Sequence, residues 1–171
     1  MFSSTLHIFM KIIQAYEGII PEKDLKCIEN IRVNKPGNVE YEFINSIPFL
    51  NNYEDPRIAS DIFRFQLLSE HDDLLWLDCD VEIGKFGWYD FIEKDKPYFA
   101  SIVGHADVWA IYNNGFKDYF KKLLTLAKEG YFCWYCPYLR QNRDSYHLIP
   151  EGYFNHYCSY TRSKSKNNFK K

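Results

Sequence analysis

Four large apolar residues, Leu74 to Leu77, stand between Asp72-Asp73 and Asp78-Cys79-Asp80 with no polar residue among them. The run is too short for a buried helix, whereas a continuous apolar stretch of this length is the pattern of a strand covered on both faces. Such a strand belongs to a parallel sheet with helices on either side. The rest of the chain supplies the parts. Lys11 to Tyr16 is a short apolar run followed by Glu17-Gly18 and Pro21, which reads as a first buried strand entering a loop. From Glu22 to Asn34 the apolar residues Leu25, Ile28 and Ile31 recur every three positions until Lys35-Pro36-Gly37 ends an amphipathic helix. Val39, Tyr41 and Phe43 alternate with Glu40 and Glu42, as in a strand with one wet face.

Asp55-Pro56 provides an N-cap and a first-turn proline for a helix reaching about Glu70, with Ile58, Ile62, Phe65 and Leu68 along one face. Phe99 to Val103 and Val108 to Tyr112 read as strands, and a helix from Asn114 to Glu129 stops at Gly130. The order β-α-β-α-β-β-β-α predicts an α/β fold with a mostly parallel central sheet flanked by helices. Neither an internal repeat nor an interdomain linker interrupts it, so residues 1–161 are expected to form one domain. Residues 162–171 hold five cations and no acid, and read as a solvated basic tail.

Charge narrows the class of partner. Lys and Arg number 21 against 23 Asp and Glu, so no basic field marks the chain for nucleic acid. The apolar run from Leu6 to Met10, broken by His7, is too short for a secretory core or an integral membrane segment. Five cysteines in 171 residues make an odd number and a sparse set, which fits reduced thiols and a cytoplasmic location.

Asp78-Cys79-Asp80 falls at the C-terminal end of the buried strand, the edge at which sheets of this kind bind ligands. Two hard carboxylates there can hold Mg²⁺ or Mn²⁺ incompletely, leaving coordination positions for phosphate oxygens. Acidic pairs also cap turns at strand ends, so the pair by itself does not decide between these uses.

Its surroundings are more specific. Ala59-Ser60-Asp61-Ile62-Phe63-Arg64-Phe65, then Trp76-Leu77-Asp78-Cys79-Asp80-Val81-Glu82, resembles the DXD sugar-binding region of the capsular-polysaccharide and mannosyl- or galactosyl-type glycosyltransferases, and more distantly the glucosylating toxins. That region is an Ala-Ser-Asp-hydrophobic-x-Arg helix, a turn, and a hydrophobic strand ending in Asp-x-Asp. The resemblance implies a GT-A-like fold and metal-dependent transfer of a hexose from a UDP- or GDP-linked donor to a carbohydrate or other glycosyl acceptor, with retention of configuration, in polysaccharide biosynthesis. In such a reaction Mn²⁺ or Mg²⁺ stabilises the departing nucleoside diphosphate as the anomeric carbon becomes oxocarbenium-like.

By the same resemblance, Asp78 and Asp80 would ligate the metal and Asp78 would also meet the donor. Asp61 would bind sugar or ribose hydroxyls, and Arg64 would approach the sugar or diphosphate with its planar fork. Tyr16 closes a segment similar to the family's first strand and would stack on the nucleobase. His156, in Tyr153-Phe154-Asn155-His156-Tyr157-Cys158-Ser159, would be a third metal contact, with Ser159 a weaker candidate. No residue is assigned as nucleophile or base. The family turns through Gly-Gly where this chain has Asp72-Asp73, so the turn before the strand is expected to differ.

Blander readings accompany each of these. Asp61 and Arg64, three apart, could form an ordinary intrahelical ion pair, and Tyr16 and His156 could be packing residues. On the site reading, Arg64→Lys lowers donor turnover with little change in melting temperature, and Asp80→Asn holds or raises stability by relieving carboxylate repulsion. A haloacid-dehalogenase-like phosphotransferase would use Asp78 as nucleophile, but that pattern wants Thr or Val where Glu82 stands, and no downstream Gly-Asp-x-x-x-Asp follows. Cys133-x-x-Cys136 with His147, His156 and Cys158 would suit a zinc-stabilised binding module, although the second ligand pair lacks a standard spacing.

Overall fold

A computed structural model of the chain describes residues 10–48, 50–85, 87, 92–102, 105–129 and 135–157. Ser159, Cys133, Cys158, Gly130 and the basic tail lie outside the described residues. In chain order the elements are β1 (Lys11–Ala15), α1 (Glu22–Asn34), β2 (Glu40–Ile44), α2 (Pro56–Glu70), β3 (Leu74–Leu77), β4 (Val81–Ile83), β5 (Tyr98–Ile102), β6 (His105–Tyr112), α3 (Lys117–Lys128), α4 (Tyr135–Gln141), β7 (His147–Leu148) and β8 (Phe154–His156). Strands β2-β1-β3-β6-β5-β7 form a six-stranded sheet in which β6 alone runs against the others. This is the mostly parallel α/β sheet predicted from the apolar run at Leu74.

Alternation along the central strands divides the core into two layers. Ile13, Leu74, Trp76 and Phe99 face α2 and α3 with Phe65, Leu68, Phe120 and Leu123. Ile12, Leu75, Leu77 and Tyr98 face the other way, onto Ile31, Val39, Val81 and Phe154. Burying four such side chains per layer on each side is worth several kcal/mol, at about 1.5–3 kcal/mol for each fully buried large apolar residue. Both faces of β3 are therefore covered, as its unbroken apolar sequence requires.

Helix α2 begins as expected, with Asp55 Oδ1 accepting a 3.0 Å hydrogen bond from the Arg57 amide and Pro56 in the first turn. Helix α3 begins three residues later than the sequence suggested. Asn113 Oδ1 accepts from the Leu74 amide at 2.9 Å while its Nδ2 donates to the Leu68 carbonyl, so Asn113 is a clamp between strand and helix. Asn114 and Gly115 then take positive φ, 52° and 82°, and their turn delays the helix.

Helix α1 is rotated from the expected face. Leu25 is 48% exposed, whereas Asp24, Cys27 and Ile31 are buried. The rotation follows from what α1 covers: Asn30 Oδ1 accepts from the Ile83 amide at 2.9 Å, and Cys27 Sγ lies 4.0 Å from Glu82 Oε1. One consequence is that a carboxylate, Asp24, points inward.

The two strands too short to read from sequence, β4 and β8, pair antiparallel with Val81 opposite His156 and Ile83 opposite Phe154. Tyr157 reinforces them, its amide donating to the Asp80 carbonyl and its hydroxyl to Glu82 Oε2, each at 2.9 Å. Gly84 lets the partner segment approach, since a Cβ there would sit 2.6 Å from the Gly152 carbonyl oxygen. Gly84→Ala is expected to force β8 away from β4 and to cost about 1–3 kcal/mol, the range for overpacking. Thermal melting and Mn²⁺ titration of the variant would check this, with a lower melting temperature and weaker Mn²⁺ binding expected together.

Candidate metal centre and crevice

The loop after β3 starts from a fixed point. Asp78 donates its amide to the Trp109 carbonyl at 2.8 Å, and its own carbonyl accepts from Gln14 Nε2 at 3.0 Å. Gln14 is fully buried, and its Oε1 accepts from the Tyr41 hydroxyl at 3.0 Å, so β1 and β2 together set the backbone of Asp78. The side chain is held as well: Oδ1 accepts from Arg64 Nη2 at 2.9 Å and from Trp76 Nε1 at 2.8 Å. Neither Gln14 nor Trp76 was singled out from sequence for this work. Gln14 lies in the segment containing Tyr16, and a buried polar residue inside an apolar strand is the signal that marks it.

Arg64 is buried on α2 and lies over the Trp76 ring, 5.1 Å from its centroid. Its Nη1 stands 3.3 Å from Asp61 Oδ1 as its Nη2 reaches Asp78. The intrahelical pair and the reach to the acidic motif thus coexist in one guanidinium.

Asp80 stands beside His156, with Nε2 3.3 Å from Oδ1. Ligand atoms of Asp78, Asp80 and His156 all lie within 4.8 Å of one another. His156 stacks on Trp109, ring centroids 4.9 Å apart and planes inclined by 10°. Trp109 Nε1 is buried with no hydrogen-bond partner among the described residues, so this indole serves the imidazole through its face.

Burial pushes the Asp78 carboxyl up from the ordinary aspartate range, against the pull of Arg64 and the Trp76 hydrogen bond. At Asp80 burial acts the same way but is outweighed by the hydrogen bond and charge of His156, which hold the carboxyl below its usual value. Two neighbouring carboxylates are thus set apart by their partners.

An open crevice of about 480 Å³ runs from these residues past the end of β1 and the loop after β2, within the range of small-molecule pockets. Tyr16, Glu17, Ser60, Arg64, Asp78 and Asp80 line it, and Asp24 closes one wall. Glu17 Oε2 accepts from the Ile47 amide at 2.8 Å, joining the two loops that bound its far end. Arg64 is the member through which Asp61 connects to this crevice, since Asp61 is itself buried and does not line it.

Asp24, Asp61, Asp78 and Asp80 gather around two cations, Arg64 and Lys23, and Glu17 adds a further carboxylate to the lining. The set of two carboxylates and one imidazole suits a hard to borderline divalent ion such as Mn²⁺ or Mg²⁺. Among the described residues the other group able to hold a metal is Glu93, Asp95 and His147, and neither group includes a thiol. His147 and His156 fall in separate groups among the described residues, and Cys133 and Cys158 of the zinc alternative lie outside them.

No protein-family model and no curated protein matches the chain. Solved structures do. The fold is similar to that of a glycosyltransferase involved in the glycosylation of the major capsid of PBCV-1, with TM-score 0.65 and 12% identity over 94% of this chain and 98% of that one. It is also similar to the glycosyltransferase GlyE of Streptococcus pneumoniae TIGR4, with TM-score 0.60 and 14% identity over 95% of this chain and 50% of that one. The chain therefore has a glycosyltransferase fold of the GT-A kind, with its acidic motif at the carboxyl edge of the sheet.

Proposed function

We propose that this protein is a metal-dependent glycosyltransferase that moves a hexose from a UDP- or GDP-linked donor to a carbohydrate or other glycosyl acceptor, with retention of configuration. The observation that carries the reading is the convergence of Asp78, Asp80 and His156 beside a crevice that also presents Arg64. A GT-A fold in the capsid glycosyltransferase and in GlyE supports it over the phosphotransferase alternative.

Asp78, Asp80 and His156 would hold Mn²⁺ or Mg²⁺, which when bound supplies Lewis-acid neutralisation of the donor's diphosphate. Arg64 directs a fixed positive charge at the same end of the crevice, and its two carboxylate partners keep the guanidinium plane in place. Tyr16 offers an aromatic surface at the end of β1, where a nucleobase would stack. Asp61 pairs with Arg64 through Oδ1 and would bind sugar or ribose hydroxyls of the donor beside it.

Without a divalent ion, the diphosphate would meet the carboxylates of Asp78 and Asp80 unscreened. Binding of UDP- and GDP-sugars, followed by calorimetry, is expected in Mn²⁺ and lost in EDTA. Undiminished donor affinity in EDTA would overturn the assignment.

A further inference from the structure

Two tryptophans flank the acidic motif, and they are used differently. Trp76 donates its N–H to Asp78 Oδ1. Trp109, on β6, is 8% exposed, and its Nε1 is fully covered with no hydrogen-bond partner among the described residues. A buried donor left unmet is costly, and Leu or Phe would fill the layer around Val81 and Phe154 without that penalty. Packing alone therefore does not account for an indole at this place.

The ring face does. The His156 imidazole lies within 10° of parallel to the indole, with centroids 4.9 Å apart. Strand β8, which carries His156, pairs with β4 in a two-stranded sheet that shares no strand with the six-stranded one. The last torsion of a histidine side chain is broad, so the backbone of β8 by itself does not choose the plane of the ring. Contact with Trp109 chooses it, and in that plane Nε2 stands 3.3 Å from Asp80 Oδ1. The other arm of the site meets the same residue. The Trp109 carbonyl accepts the Asp78 amide at 2.8 Å, one step beyond the pairing of Leu77 with Ala110 that ends β3.

We propose that Trp109 is a positioning residue of the metal centre, its indole face holding the His156 imidazole in the plane that sets Nε2 beside Asp80. Its carbonyl meanwhile fixes the start of the acidic loop, so the two arms are placed relative to each other through one residue. The inference rests on the metal ligands of the transferase reading and adds a residue that contributes no ligand atom. Partners of a ligating histidine commonly orient it by a hydrogen bond; here an aromatic face supplies the orientation. An imidazole already held in place loses less side-chain freedom when an ion binds.

The test measures Mn²⁺ binding by calorimetry to the full chain, to Trp109→Leu, Trp109→Phe and His156→Ala, and to Trp109→Leu combined with His156→Ala, at a temperature where each is folded. Trp109→Leu is expected to weaken Mn²⁺ binding about tenfold, the lower end of the loss on removing an orienting partner. It should also lose the nitrogen hyperfine coupling that an imidazole ligand gives to bound Mn²⁺. Trp109→Phe keeps a ring face and should restore both. In the His156→Ala background Trp109→Leu should have no further effect, because no imidazole is left to orient. In metal-free wild type the His156 ring protons should show the upfield ring-current shift of a stacked imidazole, a measurement that needs no variant, and its absence overturns the proposal. Unchanged affinity and coupling in Trp109→Leu, or an equal loss in the His156→Ala background, overturns the role of Trp109 alone. Wild-type protein that binds no Mn²⁺, or binds it without nitrogen coupling, overturns the metal site of the transferase reading, and the role of Trp109 falls with it.

Discussion

Asp80→Asn is expected to reduce glycosyl transfer by at least about 100-fold, a loss that substitutions merely adjacent to metal ligands already reach. Asparagine keeps the shape of the side chain and removes the charge, so a loss of this size would report attraction for Mn²⁺ rather than packing. The effect on stability differs from the sequence-based expectation of relief. His156 holds the Asp80 carboxyl below its ordinary range, so the native fold favours the charged form. A depressed native value contributes stability above the unfolded value of about 3.8 and loses it as the pH falls. The variant should therefore melt slightly lower than wild type at neutral pH, with the difference closing below about pH 4. Parallel assays of transfer and melting across pH would show both, and a variant that unfolds yet still binds nucleotide in a metal-dependent way in the cold would make the pair a structural turn.

Arg64→Ala is expected to lower the stability of the metal-free protein by about 3–5 kcal/mol, the cost of stripping one partner from a buried ion pair. That corresponds to a fall in melting temperature on the order of 10 °C for a chain of this size. Two carboxylates, Asp61 and Asp78, lose their cation at once, and the guanidinium no longer covers Trp76. Arg64→Lys should also lose stability, because one ammonium cannot reproduce a fork that serves two acids in different directions. This departs from the expectation of an almost unchanged melting temperature, and burial is the reason: a residue 5% exposed is part of the core as well as of the crevice. Differential scanning calorimetry separates the two roles, with mutant protein at low temperature assayed for residual donor binding. Wild-type stability in Arg64→Ala would show that Asp61 and Asp78 are satisfied without it.

The sequence carried those parts of the fold whose physics is local. Helix α2 announces itself by Asp55-Pro56 and a long apolar stripe, and β3 by an apolar run too short to be anything else. Its acidic motif was legible because strand end and sheet edge coincide. The rotation of α1 was not, since Leu25 and Cys27 offer competing apolar stripes and only contact with β4 chooses between them. Strands β4 and β8 are three residues each, below the length at which alternation can be recognised, and their paired residues lie 71 to 75 positions apart. His156 could be suggested only by resemblance, because its nearness to Asp80 depends on that pairing. Asp24 gave no signal at all: an acid in a first helical turn is ordinary, and its meaning comes from burial.

The small β4–β8 sheet also bears on how long an ion would stay. Opening it separates His156 from Asp80 and lifts Phe154 from the layer under Leu75 and Leu77, but leaves the hydrogen bonds of the six-stranded sheet in place, so one of three candidate ligand groups would leave while Asp78 and Asp80 remain on their loop. Such sub-global opening requires far less free energy than unfolding the core. Residence time of the metal would then be governed by the lifetime of three strand pairs and the two Tyr157 hydrogen bonds, and amide exchange at Tyr157 would keep time with metal release.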